Sequence, residues 1–490
     1  VSPFAEAMLQ SAQAPILLLP RNERGSVEVA PSIAPRSPYL GVFLPYSPLH
    51  ILILHDLGFP VVATSANFTD EPITFTDQDI DEKLMKLCDG VLTHNRAILH
   101  QADDSVLHIV QKPQPKPQML RRARGYTPLP MLAPRTLPPM LALGGHLNST
   151  FALTRNREII LSPHLGDMEN YESRIAFQKT LQNFLELYKI QPDLIVHDLH
   201  PDYFTSRFAQ GLGLPHVAVQ HHHAHMAACM LENQVEAPVL ALTWDGTGYG
   251  ADQTIWGGEF LRGGPDAYQR VATLLPFRLP GGESAIHETW RIALSLLWET
   301  FGRQIPDDLP LFSQIAPKKT EMTLQILERG LLSPVTTSMG RLFDGVSAIL
   351  GLSYYNTHQA ESAQMLEYAA WASRPASESI PIPILRSDLP RLDWREMIRE
   401  IVRLFRLGAP VESLAATFHN SIADAAMSLI EEIGMARIVM TGGVFCNRFL
   451  TERLLCAIER SGRAAYVHSQ LPPTDGSLAV GQIWVAANSL

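Results

Sequence analysis

Val239-Leu240-Ala241-Leu242-Thr243-Trp244-Asp245-Gly246-Thr247-Gly248-Tyr249-Gly250 is an apolar run that ends in an acid and three glycines. Entered through Ala237-Pro238, it reads as a buried strand that delivers its C-terminal end to a loop. Glycines there let backbone N–H groups approach phosphate oxygens, and an acid at a strand end can hold a metal or its water. Hairpin turns use the same residues, so a phosphate loop and a hairpin both stay open, and Trp256-Gly257-Gly258-Glu259 follows closely. Arg437-Ile438-Val439-Met440 repeats the pattern, running into Thr441-Gly442-Gly443-Val444-Phe445-Cys446-Asn447-Arg448. That order predicts strand, glycine turn and helix, which places a ligand at a helix N-terminus. Neither turn matches the P-loop or the Rossmann fingerprint.

Outward from these two stretches the chain reads as mixed α/β. Pro60-Val61-Val62-Ala63-Thr64-Ser65 has the look of a third buried strand. In 172–189, Phe177, Leu181, Phe184, Leu185 and Tyr188 recur at helical spacing and predict one buried face. Thr127-Pro128-Leu129-Pro130 through Pro138-Pro139 reads as a stiff linker, and Pro375 through Pro390 as an exposed excursion. No short-period repeat is visible, although a pseudo-duplicated architecture would not show at this level.

Val219-Gln220-His221-His222-His223-Ala224-His225 is the sharpest chemical signal. The Met226-Ala227-Ala228-Cys229-Met230-Leu231-Glu232 that follows favours helix. On a helix, His221 and His225 lie at i and i+4 on one face, so two imidazoles can converge on one cation. His222 and His223 would point elsewhere, hydrogen-bonded or exposed. The competing interpretation is a surface histidine cluster. In Thr474-Asp475-Gly476-Ser477, Asp475 suits either an N-cap or a third metal ligand. Ser65 and Asn67, then Arg96, Ser105, Arg121 and Arg124, are hydroxyls, amides and guanidiniums suited to a polyanionic ligand; a solvated loop set would look the same.

The 490 residues imply two or three domains. With 39 basic against 49 acidic residues, no cationic excess is available for general nucleic-acid binding. No apolar run reaches the roughly 18 residues needed to span a membrane. The four cysteines form no Cys-x-x-Cys pair, so a cytoplasmic protein without disulfides or a zinc finger is expected. No secretory leader is visible at the start.

Several motifs together resemble the HypF carbamoyltransferase family over nearly the whole chain. Gly41-Val42-Phe43-Leu44-Pro45, Ser65-Ala66-Asn67, His94-Asn95-Arg96, Asp103-Asp104-Ser105-Val106 and Arg121-Arg122-Ala123-Arg124-Gly125-Tyr126 are similar to a YrdC-type domain. His197-Asp198-Leu199-His200-Pro201-Asp202-Tyr203, the histidine run, the Asp245 turn, Phe277-Arg278-Leu279-Pro280-Gly281-Gly282, Gly340-Arg341-Leu342-Phe343-Asp344 and Thr441-Gly442-Gly443-Val444 are similar to a carbamoyltransferase domain of the actin/hexokinase-like ATPase superfold. The resemblance implies an α/β chain in three parts: a YrdC-like domain over 1–126, truncated at its start, a proline-rich linker over 127–140, and a two-lobed ATPase-like domain over 141–490. It implies that carbamate, drawn from carbamoyl phosphate, joins ATP (with magnesium) as carbamoyl-adenylate. The carbamoyl group then passes to the C-terminal cysteine of HypE, on the way to a cyanide ligand of nickel–iron hydrogenase. By the same resemblance, His221, His225 and Asp475 would hold a divalent metal, zinc or iron. Asp245, Gly246, Thr247, Gly248, Gly442, Gly443 and Asn447 would contact nucleotide, with Asp344 near the ribose. Ser65, Asn67, Arg96, Ser105, Arg121 and Arg124 would serve nucleotide and carbamoyl binding in the first domain.

The chain departs from the family pattern in lacking an acylphosphatase-like domain and zinc fingers before the YrdC-like part. Asn148 stands where the family commonly has lysine, and 355–362 lacks the usual Glu-Gly-Gln-Ala. The rival expectations are O-carbamoylation of a small-molecule hydroxyl and a non-catalytic nucleotide- and metal-binding scaffold. The tRNA threonylcarbamoyl machinery uses related domains, but the acidic balance does not favour tRNA.

Overall fold

A computed structural model describes all residues except 23–28, 68–70, 72, 75–79, 81–83, 100, 374–377 and 490. The chain divides into two compact units: 1–109 with 115–235 and 468–490, and 110–114 with 236–467.

The first unit contains two sheets. The smaller has the order Tyr39–Val42, Ile16–Pro20, Val106–Val110, Lys116–Arg121. Its apolar side is closed by Ala5, Leu9, Leu17, Leu107, Ile109 and Met119. The expected strand over 60–65 does not form; those residues are exposed and outside any sheet. An apolar run becomes a strand only where an edge is available to pair with it, and propensity alone does not supply one.

The second sheet has six strands, in the order His216–Val219, Leu194–Asp198, Met140–Ala142, Ala152–Arg155, Glu158–Leu161, Met131–Leu132. Met140–Ala142, Ala152–Arg155 and Glu158–Leu161 form an antiparallel meander, and the two remaining long strands add in parallel to its first. Alternate residues point to opposite faces of a strand. Leu141, Leu153, Ile160 and Ile195 therefore pack on one side with Phe177, Leu181 and Phe184 of the helix Tyr171–Tyr188. Met140, Ala142, Ala152, Ile159, Leu161 and Val196 pack on the other with the helices His221–Glu232 and Leu478–Ser489. The proline-studded stretch is thus more than a spacer, since Met131–Leu132 pairs with Glu158–Leu161 and Leu137 enters the core.

The second unit repeats that topology on its own scale. Val239–Tyr249, Ile255–Gly263 and Tyr268–Leu274 form the meander, and Arg437–Thr441 then Ala464–Tyr466 add in parallel to its first strand. The duplication is invisible in sequence because topology is conserved by hydrogen-bond order, while the side chains on each copy differ. Trp244, Phe260, Trp290, Phe343, Phe418 and Phe445 fill its core. The expected exposed excursion is partly structural: Ile384–Leu385 pairs with Arg391–Leu392, and Ile382 is buried. Among the described residues, no helix is long and apolar enough to cross a membrane.

Candidate metal centre and glycine-turn site

The histidine run forms the first turn of the helix His221–Glu232. Gln220 caps it, its Oε1 accepting from the His223 N–H at 2.8 Å. Every residue from His221 to Leu231 is buried, which removes the surface-cluster interpretation; His222 follows the hydrogen-bonded alternative, with its Nδ1 3.3 Å from Gln220 Nε2. Burial on this scale comes from the last helix. A Cβ on Gly481 would lie 1.8 Å from the Ala224 carbonyl oxygen, so only glycine allows the two backbones this close.

His221 and His225 share one face, with ring centroids 5.0 Å apart. Asp475 opens a short 3-10 turn capped at Thr474, before the last helix begins. Its Oδ1 lies 3.5 Å from His221 Nε2 and 3.6 Å from His225 Nε2. Two ligand atoms bound at about 2.1 Å in tetrahedral geometry stand about 3.4 Å apart, so these spacings fit a shared divalent ion. Side-chain chemistry agrees: His221 Nδ1 lies 2.8 Å from Asp198 Oδ2, with both side chains fully buried. A carboxylate accepts, so Nδ1 carries the proton and Nε2 keeps its lone pair toward Asp475. Asp198 is itself held, its Oδ1 accepting from the His200 N–H at 2.8 Å.

At the other end of the histidine helix, the Glu232 side chain is buried and accepts from the N–H groups of Ser469 and Gln470, with His468 Nδ1 at 2.5 Å. Burial alone would raise this carboxyl, but His468 and those N–H groups outweigh it and hold it below the usual range. The pair ties the helix to the segment that leads to Asp475.

In the second unit the Asp245 stretch is a hairpin strand with a bulge, because its register shifts between Trp244 and Gly248. The bulge lifts Asp245, Gly246 and Thr247 out of the ladder. Asp245 Oδ1 accepts from the N–H of Gly246 at 2.8 Å and of Gly443 at 3.1 Å. One carboxylate therefore joins the two glycine turns. Ser338, which no sequence signal marks, donates its hydroxyl to the Asp245 and Gly246 carbonyls. The second turn is strand, 3-10 turn and helix, as its pattern predicts. Gly442 has φ +100°, and a Cβ there would lie 2.2 Å from the Trp244 carbonyl oxygen. Asn447 caps the helix Arg448–Arg460 through Oδ1, and its Nδ2 lies 2.9 Å from His419 Nε2. Burial pushes His419 down to about 4, which keeps Nε2 an acceptor. Asp344 is fully buried 3.0 Å from Arg341, and burial raises it to about 6 against that arginine's pull.

In the smaller sheet's domain, Ser105, Arg121 and Arg124 knot around Asp103 and Asp104. Arg124 Nε meets Asp104 Oδ1 at 2.7 Å, Arg121 Nε donates to the Asp104 carbonyl, and buried Ser105 donates to the Arg124 carbonyl. Ser65 and Arg96 are exposed on loops, and Asn67 donates to the Glu71 carbonyl. Asn148 adopts φ +46°, a conformation asparagine tolerates better than lysine. In 355–362, Glu361 caps the Thr357 N–H and opens the helix Glu361–Ala372.

Three family profiles cover this layout: "Telomere recombination" of the Sua5/YciO/YrdC type over 1–123, "HypF Kae1-like domain" over 135–232, and "Carbamoyltransferase, Kae1-like Domain, second subdomain" over 241–482. A carbamoyltransferase HypF homolog of Cupriavidus necator is 32% identical, and the match covers 71% of this chain and 91% of that one. The crystal structure of full-length HypF in the phosphate- and nucleotide-bound form superposes with a TM-score of 0.92 at 32% identity, over 99% of this chain and 76% of that one. The chain belongs to the HypF family. Its fold is the mixed α/β arrangement expected, a YrdC-like domain with Kae1-like ATPase domains. The carbamoyltransferase HypF of Synechocystis sp. is 38% identical over 97% of this chain, which spans 63% of that relative's length.

Proposed function

We propose that this chain carries out carbamoyl transfer in nickel–iron hydrogenase maturation, delivering the carbamoyl group of carbamoyl-adenylate to the C-terminal cysteine thiol of HypE. The observation that carries this reading is the convergence of His221, His225 and Asp475, with His221 oriented by Asp198. A divalent ion, zinc or iron, held by those three residues supplies charge neutralisation to a phosphate-bearing substrate. The Asp245–Thr247 bulge and Gly442-Gly443 present backbone N–H groups and an acid to nucleotide phosphates, with Gly248, Asn447 and Asp344 supporting that surface. Ser105, Arg121 and Arg124, with Ser65, Asn67 and Arg96, serve the earlier joining of carbamate to ATP, which releases pyrophosphate. In the transfer itself, the thiolate sulfur bonds to the carbamoyl carbon, the carbamoyl–phosphate oxygen bond breaks, and AMP leaves. The cytoplasm, with its reduced thiols, is the setting this acceptor requires.

The test supplies the metal-loaded chain with synthetic carbamoyl-adenylate and a peptide ending in the HypE C-terminal cysteine. A thiocarbamate adduct on the peptide, read by mass spectrometry, is the expected result. An adduct only on an offered sugar hydroxyl, or on neither acceptor, contradicts it.

A further inference from the structure

His197 and His216 are two histidines that the carbamoyl-transfer reading leaves unused. Their strands, Leu194–Asp198 and His216–Val219, run in parallel, with His216 opposite Ile195 and Ala218 opposite His197. Residues two apart on a strand share a face, so His216 and His197 point to the same side of the sheet. Asp198, one residue on, points to the other side, where its carboxylate meets His221. The His197 and His216 rings lie 5.4 Å apart between centroids, tilted by 40°. His221 and His225, whose spacing fits a shared ion, lie 5.0 Å apart.

The hydrogen bonding of His197 is that of a metal ligand. Its Nδ1 lies 2.8 Å from the Asp198 carbonyl oxygen, which accepts, so Nδ1 carries the proton and Nε2 the lone pair. Metal-bound histidines regularly donate their second nitrogen to a carbonyl or carboxylate in this way. Asp198 thus orients one imidazole on each face of the sheet, His197 through its carbonyl and His221 through its carboxylate. His197 is 6% exposed, and Nε2 is buried with no hydrogen-bond partner among the described residues. An acceptor left unpaired away from water is costly, and ring packing alone does not relieve it. Burial lowers the His197 pKa, against the pull of the Asp198 carbonyl, which keeps the ring neutral at physiological pH. His216 lies on the outermost strand of the sheet and is exposed, so the pair opens to solvent through it.

We propose that His197 and His216 form a second metal site. It takes one borderline divalent transition ion, of the zinc, nickel and copper class, on one imidazole nitrogen of each, with water completing the shell. Neutral imidazoles select that class over magnesium and calcium, which take oxygen ligands. Having two protein ligands instead of three, the site holds its ion more weakly than His221, His225 and Asp475 do, and releases it when excess metal is removed. It stands on the strand geometry and hydrogen bonding of these two residues and does not rest on the carbamoyl-transfer reading.

The test is equilibrium dialysis of the full chain against graded zinc, with excess metal left in place. The native chain should hold, beyond its tightly bound ion, a weaker ion that magnesium does not displace. His216→Ala, a change at an exposed position, should remove one weakly held ion per chain and leave the tight one. His197→Gln should do the same, because its amide offers no imidazole nitrogen; if it does not fold, His216→Ala decides alone. In His221→Ala the tight ion should go and the weak one stay, which separates the two centres. No weakly held zinc in the native chain overturns the site. So does its displacement by magnesium, or its retention in His216→Ala or in folded His197→Gln.

Discussion

Gly481→Ala unfolds the first unit at lower temperature, although alanine in a helix ordinarily stabilises by about 0.5–1 kcal/mol relative to glycine. The sign reverses because the added methyl would sit 1.8 Å from the Ala224 carbonyl oxygen, on backbone that cannot rotate away. The helices His221–Glu232 and Leu478–Ser489 must then separate. The packing they share contains Ala224, Ala227, Leu231, Leu478, Ala479 and Ile483, so the loss exceeds the local clash. Overpacking of this kind costs about 1–3 kcal/mol, and the propensity gain of about 0.5–1 kcal/mol offsets part of it, leaving a net loss of about 1 kcal/mol. Denaturant unfolding reads it directly. Because Asp475 lies just ahead of the second helix and both histidines on the first, metal affinity should fall with stability. An unchanged or raised midpoint would show that the helices do not approach this closely.

Asp198→Ala should weaken metal binding by about 10–100-fold while leaving the three ligands in place. Without the carboxylate, the His221 ring loses the acceptor that fixes its tautomer, and the proton can move to Nε2, where the lone pair is needed. The substitution also leaves the His200 N–H and a buried imidazole without their acceptor, so some loss of stability accompanies it. Asp198→Asn separates the two effects, since its amide oxygen can still accept from Nδ1 and should restore part of the affinity. Competition with a chromophoric chelator measures both variants. Native-like affinity in Asp198→Ala would remove the orienting role.

What could be read from sequence follows the range of each interaction. The histidine pair is legible because i and i+4 are neighbours on any helix, and the helix Tyr171–Tyr188 because its apolar period is local. The strand-turn-helix at Thr441–Arg448 is legible for the same reason. Asp198 stands in a motif, yet nothing local shows that its carboxylate reaches His221 across adjacent parallel strands. Ser338 and the Glu232–His468 pair are joined to their partners only by the finished sheets. The run 60–65 misleads because strand character depends on a pairing edge that sequence does not reveal. Asp245 is a middle case: acid and glycines are visible, but only the bulge shows how one carboxylate holds both turns.

The central claim is that His221, His225 and Asp475 hold one divalent ion. X-ray absorption at the metal edge, on the chain reconstituted with zinc or iron and freed of excess metal, tests it most directly. About one ion per chain is predicted, with two imidazole nitrogens at about 2.0–2.2 Å and at least one oxygen at a similar distance, the nitrogen shell being lost in His221→Ala and His225→Ala. Stoichiometric metal without histidine scattering, or the same nitrogen shell in both variants, would contradict it.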